Sequence, residues 1–297
     1  MSEENQFDYV IVGGGSAGCV LANRLSADPN IRVCLIEAGG THKSAFIRVP
    51  ALVAATMMSK IKNWAFPTVP QTALNNRECY QPRGKALGGS SSTNAMIYIR
   101  GVPADYDRWA SLGNAGWSYQ DVLPYFKKSQ HRESGTNEFH AQGGELNVAP
   151  LQDPSPINQR FLRAAQNQGF VANDDFNGSD QEGVGMYEVT QIRGERCSAA
   201  RAFLEPIWER PNLKIVTRAR THRILFDSNK RAIGVEVKRF FKTQKITAQR
   251  EVILSAGAFG SPQLLMLSGI GSPEKLEPHG IEVMHDLPGV GENAATP

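Results

Sequence analysis

Phe7-Asp8-Tyr9-Val10-Ile11-Val12-Gly13-Gly14-Gly15-Ser16-Ala17-Gly18-Cys19-Val20-Leu21-Ala22-Asn23-Arg24-Leu25 is the stretch that decides the fold. Phe7 to Val12 is a short apolar run rich in Val, Ile and Tyr, which predicts a buried strand. The glycines break it, and Ala17 to Leu25 then reads as a helix. Ile31 to Ile36 predicts a second buried strand. Strand, helix and strand within about 30 residues is the length of a parallel crossover, so an α/β sheet starts at the N-terminus.

The glycines follow Gly13-x-Gly15-x-x-Gly18, placed between strand and helix, with the acidic Glu37 ending the next strand and Ala38 after it. The first glycine permits a tight turn, the second lets a pyrophosphate approach the backbone, and the third lets the helix pack on the strand. Phosphate would then meet the positive helix end at Ser16 and Ala17. Glu37 would accept hydrogen bonds from ribose hydroxyls and repel the extra phosphate of NADP. The motif predicts the ADP half of a dinucleotide and leaves FAD and NAD both open.

A second constellation reads Arg83-Gly84-Lys85-Ala86-Leu87-Gly88-Gly89-Ser90-Ser91-Ser92-Thr93-Asn94-Ala95-Met96. Backbone donors without side chains, hydroxyls and a helix entry suit a charged or polar heteroaromatic ligand. Thr93 to Ile99 is mostly apolar, so the segment reads as a glycine turn entering a helix. Residues 41 to 82 show weak periodicity and several prolines, which predicts a long irregular excursion. Residues 102 to 200 read as a mixed second lobe. After Pro211 the runs Leu213 to Val216, Ile224 to Phe226 and Ala232 to Val237 predict strands. A charged hairpin is expected from Lys238 to Glu251, and Val252 to Ser255 predicts one more buried strand returning to the first lobe.

Composition excludes several classes. The chain has 297 residues, 41% hydrophobic and 21% charged, which is a folded soluble composition and room for two lobes. Net charge is +3, from 32 basic and 29 acidic residues spread along the chain, so no strong field singles out nucleic acid. Cys19, Cys34, Cys79 and Cys197 form no C-x-x-C pair, which argues against a zinc site or a disulfide framework and for a reducing cytoplasm. Met1 to Gln6 lacks the character of a signal peptide, and no apolar stretch is long enough to span a bilayer. The expected location is therefore cytoplasmic, with peripheral contact at the inner membrane face left open. Asn177-Gly178-Ser179 satisfies a glycosylation triplet but reads as a turn.

Gly84 to Asp107 and Gly257 to Gly271 resemble the two long signatures of the glucose-methanol-choline family of FAD-dependent oxidoreductases. The second fits throughout, and the first departs at Thr93, where an aliphatic residue is usual. Some relatives carry at that position a histidine bonded covalently to flavin. The resemblance therefore implies non-covalent FAD, a Rossmann-like FAD-binding domain over 1–101 and 201–297, and a mixed α+β substrate lobe over 102–200 that is incomplete. It places Ala86, Gly89, Ser90, Asn94, Ala95, Met96 and Ile97 near the pyrophosphate and isoalloxazine. Thr221 matches a position whose backbone contacts adenine. Asn63-Trp64, Pro82 to Lys85, Asn94 to Met96 and Tyr98 to Gly101 resemble the choline dehydrogenase and aliphatic-alcohol dehydrogenase branch. In that branch an alcohol carbon gives hydride to flavin, a histidine takes the hydroxyl proton, and electrons pass to quinone, another acceptor or oxygen.

Relatives of this family usually run past 500 residues and carry the catalytic histidine near the C-terminus, whereas Ala294 to Pro297 departs from their continuation. The expectation is a truncated member without its catalytic base. None of His42, His131, His140, His222, His279 and His285 lies in a family active-site motif, so each reads as a surface or packing residue, and no metal site is expected. A non-catalytic FAD-binding remnant and a lyase relative stand as alternatives.

Overall fold

The computed structural model describes residues 5–293; the departure at Ala294 to Pro297 lies outside them. The chain forms two compact units, one of residues 5–47, 52–93 and 199–293, the other of residues 48–51 and 94–198.

The first unit is built on a six-stranded sheet. Its strands are β1 (Gln6–Val12), β2 (Val33–Ile36), β3 (Leu213–Val216), β4 (Ala219–Phe226), β5 (Ala232–Arg239) and β6 (Lys242–Leu254). Their spatial order is β4-β5-β6-β1-β2-β3. From β6 to β3 the pairing is parallel, with Val10 opposite both Cys34 and Val252, while β4, β5 and β6 form an antiparallel meander. All four residues of β2 are buried, the mark of a parallel strand covered on both faces. Helix α1 (Ser16–Leu25) makes the expected crossover, and helix α2 (Gly257–Leu267) follows β6. Val10, Val12, Cys34, Ile36, Val216, Val235, Ile246 and Leu264 belong to one buried core cluster. The α/β, Rossmann-like expectation holds.

Two local expectations fail. Val252 to Ser255 is not a separate buried strand. It is the half-exposed end of the 13-residue β6, which begins in the charged segment read as a hairpin. The hairpin turn itself is only Phe240 and Phe241. Thr93 to Ile99 is not a helix either: only a 3-10 turn, Gly89–Ser92, forms. Met96 sits at φ +64°, a left-handed conformation that ends any helix, and its carbonyl accepts the backbone N–H and hydroxyl of Thr190.

The second unit carries helices Pro103–Ser111, Tyr119–Ser129 and Pro156–Asn167 with short two-stranded ribbons. Its interior is strongly polar. The buried His140 ring lies 3.1 Å from Gln130 Oε1 through Nδ1 and 2.9 Å from Asp175 Oδ2 through Nε2. Arg100 donates to the same Gln130 oxygen and to the Phe139 carbonyl. Burial pushes the His140 pKa down and Asp175 opposes the shift. Asn177 is a buried cross-tie that accepts from Arg100 N–H at 2.7 Å and donates to the Tyr98 carbonyl, so its triplet is an internal turn.

Candidate functional site

A cleft of about 760 Å³ opens in the first unit at the carboxyl ends of β1, β2 and β6, where Val12, Ile36 and Leu254 line it. From β1 the sheet continues to β2 on one side and to β6 on the other, so this is a topological switch point, the place where open α/β sheets leave a crevice.

The fingerprint glycines are required for separate reasons. Gly13 has φ +102°, and a Cβ there would stand 2.5 Å from the Ser255 carbonyl oxygen. A Cβ on Gly18 would fall 2.0 Å from the Gly13 carbonyl oxygen, so α1 could not approach β1. Gly15 differs: the nearest atoms to its Cβ position are Ser255 O at 3.8 Å and Gly89 Cα at 3.9 Å. The protein alone does not demand glycine at Gly15, which lines the cleft at the N-cap of α1. Among the described residues no side chain caps that helix, and its first turn holds no acid, so its leading N–H groups remain available to an anion.

Glu37 is buried and anchored through both carboxylate oxygens. Oε2 accepts the Gly14 N–H at 2.9 Å and Oε1 the Gly39 N–H at 2.7 Å. Each oxygen keeps acceptor capacity toward the cleft, which Glu37 and Ala38 line. Burial pushes its pKa up from 4.5 to about 7, against the pull of the Gly39 and Gly14 donors and of Lys85.

The second constellation lies directly across the first. Gly88 N–H donates to the Gly14 carbonyl at 2.7 Å. Gly89, at φ +53°, lies so close that a Cβ would come 2.7 Å from Gly15 Cα. Gly13, Gly15, Ser16, Ala17, Glu37, Ala38, Gly89, Ser90 and Thr221 therefore meet at one cleft. Gly18 and Ala86 do not line it: Gly18 packs beneath the turn, and Ala86 is fully buried, bridged to Gly40. Thr93 is buried with its hydroxyl 3.4 Å from the Ser90 carbonyl. Asn94, Ala95, Met96 and Ile97 belong to the second unit, where Asn94 Oδ1 accepts from Arg196 at 2.8 Å and from Met96 N–H at 3.1 Å. At Thr221 the β4–β5 register slips before Arg223, a bulge that takes backbone groups out of the ladder at the cleft wall.

Sequence reasoning missed one wall of the cleft. Trp64 stacks on Phe66 at 5.6 Å, and Phe66 meets Phe259 edge-on at 6.2 Å. The Arg83 guanidinium lies 4.4 Å from the Phe259 ring centroid, and that of Arg220 lies 5.6 Å from Trp64. These five residues line the cleft together with Ser255 to Ser261 at the start of α2. A signal was present: Val252 to Gly257 repeats the order of apolar strand, glycine and helix seen at Val10 to Gly18. Among the described residues no group of three or more His, Cys, Asp and Glu is arranged to hold a metal ion.

The cysteine thiols Cys19 and Cys34 are buried, which pushes both pKa values up to about 12 and leaves them unreactive. His42 is buried with Nε2 2.9 Å from Glu205, whereas His222 is exposed and lines the cleft beside Thr221.

Comparison with known proteins agrees with this geometry. The GMC oxidoreductase family model matches residues 7–296. An alcohol dehydrogenase [acceptor] of Pseudomonas putida is 49% identical over 290 residues, which cover 97% of this chain and 52% of that protein. An oxygen-dependent choline dehydrogenase of Sinorhizobium fredii is 46% identical over 97% of this chain and 52% of its own length. Among solved structures, pyridoxine 4-oxidase from Mesorbium loti superposes with a TM-score of 0.90 at 35% identity, covering 95% of this chain and 55% of that one. An FAD-dependent oxidoreductase from Chaetomium thermophilum gives 0.89 at 33% identity, over 97% and 52%. The chain thus spans about half the length of the curated relatives it matches. With fingerprint, cleft and likeness extending over nearly all its residues, the chain belongs to the GMC oxidoreductase family.

Proposed function

We propose that the cleft binds FAD without a covalent bond and that the chain is the cofactor-binding portion of an FAD-dependent oxidoreductase acting on the CH–OH group of a choline-like or primary aliphatic alcohol. Gly15 carries the reading: its Cβ position is free of close protein contacts, and it lines the cleft at the N-cap of α1, a helix start that no side chain caps among the described residues, as a pyrophosphate contact requires. Glu37 would hold the ribose hydroxyls, and the Thr221 backbone, at its bulge, the adenine. Gly89, Ser90, Asn94, Ala95, Met96 and Ile97 are proposed along the remainder of the cofactor, with the buried Ala86 supporting Gly89 through its carbonyl. Thr93 offers no imidazole for a histidyl link to flavin.

Bound FAD would supply the hydride acceptor for alcohol oxidation. The chain's own residues would bind and orient it, and Glu37 would exclude NADP by charge. No catalytic base is assigned. His42 is committed to Glu205 and His140 to Gln130 and Asp175, while His222 lies beside Thr221 on the side of Glu37, whose carbonyl accepts from Ala219 N–H. That favours a second reading in which this chain alone binds FAD without turning over alcohol; coverage of 52% of the relatives supports it. A quinone, another acceptor or oxygen would take the electrons in the whole enzyme, and the scattered cysteines, none of them in a disulfide, fit a cytoplasmic setting.

The test is to saturate the purified chain with FAD, remove free ligand and record the visible flavin spectrum, then precipitate with acid. Flavin retained by the native chain and released into the acid supernatant is expected. Gly15→Ala should fold normally yet bind FAD about tenfold or more weakly. No retained flavin, or equal retention by Gly15→Ala, refutes the site. Bleaching on addition of choline or a primary alcohol would show turnover by this chain and remove the second reading.

A further inference from the structure

The β5–β6 hairpin ends in a two-residue turn, Phe240 and Phe241, between the paired residues Arg239 and Lys242. Phe241 is 99% exposed and Phe240 62%. Such a turn ordinarily takes Asn-Gly or another glycine pair, because its backbone needs positive φ. Here Phe240 stands at φ +52° with a bulky ring, the conformation least suited to it. The sheet core ends below: Val237 and Ile246 are buried, and the hairpin beyond them makes no use of apolar rings. Strain and exposed aromatic surface retained together at a projecting tip point to a task outside the fold.

The surroundings identify the partner. Lys238, Arg239, Lys242 and Lys245 flank the rings and are exposed, with the Arg239 guanidinium 5.6 Å from the Phe240 ring centroid. Arg220 on β4 stands opposite Lys238. From Lys238 to Arg250 the sequence contains no acid. Of the acids flanking this stretch, Glu251 lies at its far end from the rings, and Glu236, opposite Lys245, is paired to Arg223 at 3.2 Å. Two rings at the apex and a collar of cations behind them match an anionic lipid surface, where aromatic rings enter the interface and Lys and Arg reach the headgroups. Single-stranded nucleic acid is served instead by stacking platforms along a groove, which a two-residue apex does not offer. Among the described residues no helix is long and apolar enough to cross a membrane, so this contact is peripheral.

We propose that the Phe240-Phe241 hairpin docks the protein on anionic bilayers, with the rings inserted and Lys238, Arg239, Lys242 and Lys245 neutralising headgroups. The proposal does not depend on the cofactor reading. The test is co-sedimentation of the full chain with phosphatidylcholine vesicles, with or without phosphatidylglycerol. Salt-sensitive binding to the anionic vesicles is expected. Only Phe240 of the pair has positive φ, so F240G/F241N, with glycine at the first turn position, installs a favoured turn; it should melt no lower than the native chain while losing about tenfold or more in vesicle affinity. K238Q/R239Q/K242Q/K245Q should lose the preference for phosphatidylglycerol. I157S/F161S, which removes exposed apolar surface in the second unit, should bind as the native chain does. Absence of binding by the native chain, unchanged binding by F240G/F241N, or loss of binding in I157S/F161S overturns the proposal. So does a hairpin-dependent affinity for single-stranded DNA that exceeds the affinity for anionic vesicles.

Discussion

Different physics holds each of the two units in shape. In the first, apolar strands pack into a buried cluster and backbones approach so closely that several positions admit only hydrogen for a side chain. In the second, a buried network of Arg100, Gln130, His140 and Asn177 lies beside a smaller apolar set that includes Val148, Phe176 and Val189, and many large apolar side chains stay exposed. Helices Pro103–Ser111 and Pro156–Asn167 keep every residue at least partly exposed. Trp109, Trp117, Tyr125, Ile157, Phe161 and Phe170 are all exposed. The sheet of the first unit is thus closely packed and intolerant of added atoms. The second has apolar surface that its own residues leave uncovered.

The sharpest way to break this contrast is Gly18→Ala. The added methyl would stand 2.0 Å from the Gly13 carbonyl oxygen, part of the backbone and unable to rotate away. Loss of at least about 3 kcal/mol is expected, read as a collapse of the urea midpoint. A midpoint close to that of the native chain would show that α1 and β1 are not locked together as the geometry requires.

The next effect is a pH slope set by Glu37. Its pKa is pushed up from 4.5 to about 7 by burial, so between those values the folded chain holds a proton that the unfolded chain has released. Stability therefore falls as pH rises through this window and is largest at its acid end. The full shift corresponds to roughly 3 kcal/mol, as an upper order of magnitude. Urea unfolding of the cofactor-free chain across the window should show the decline. Glu37→Gln should flatten it and lower stability at the acid end, because the amide NH₂ would confront the Gly14 or Gly39 N–H. An unchanged slope in Glu37→Gln assigns the titration to another group.

Much of the first unit was legible because its signals are local. Periodicity marked β1 and β2, Leu213–Val216 was read with its observed bounds, and strand, glycines and helix placed the cleft end of α1. What stayed hidden depends on distant partners. The apolar run after Ser92 looked helical, but Met96 is pinned by Thr190, 94 residues away. Trp64, Phe66 and Phe259 form one wall although Phe259 lies nearly two hundred residues from the other two in sequence. The spacing to Glu37 predicts an acceptor for ribose hydroxyls and carries no hint of its structural task of anchoring Gly14 and Gly39. In the second unit the polar network has no periodicity to read, which is why the segment could be described only as a mixed lobe.

The smallest effect lies on that second unit. Ile157 and Phe161 are each 67% exposed on one helix and line an apolar hollow with Ile97, Leu151, Tyr187 and Val189. Surface replacements away from special contacts change stability by about 0.5 kcal/mol or less. I157S/F161S should therefore leave the melting temperature nearly unchanged while reducing light scattering at high protein concentration, since it shrinks an exposed apolar patch. A loss of more than about 1 kcal/mol would mean that the face is covered in solution, by self-association of the chain, and the contrast between the units would narrow. Unchanged stability with lower scattering would fix it as surface that this chain's own packing does not use.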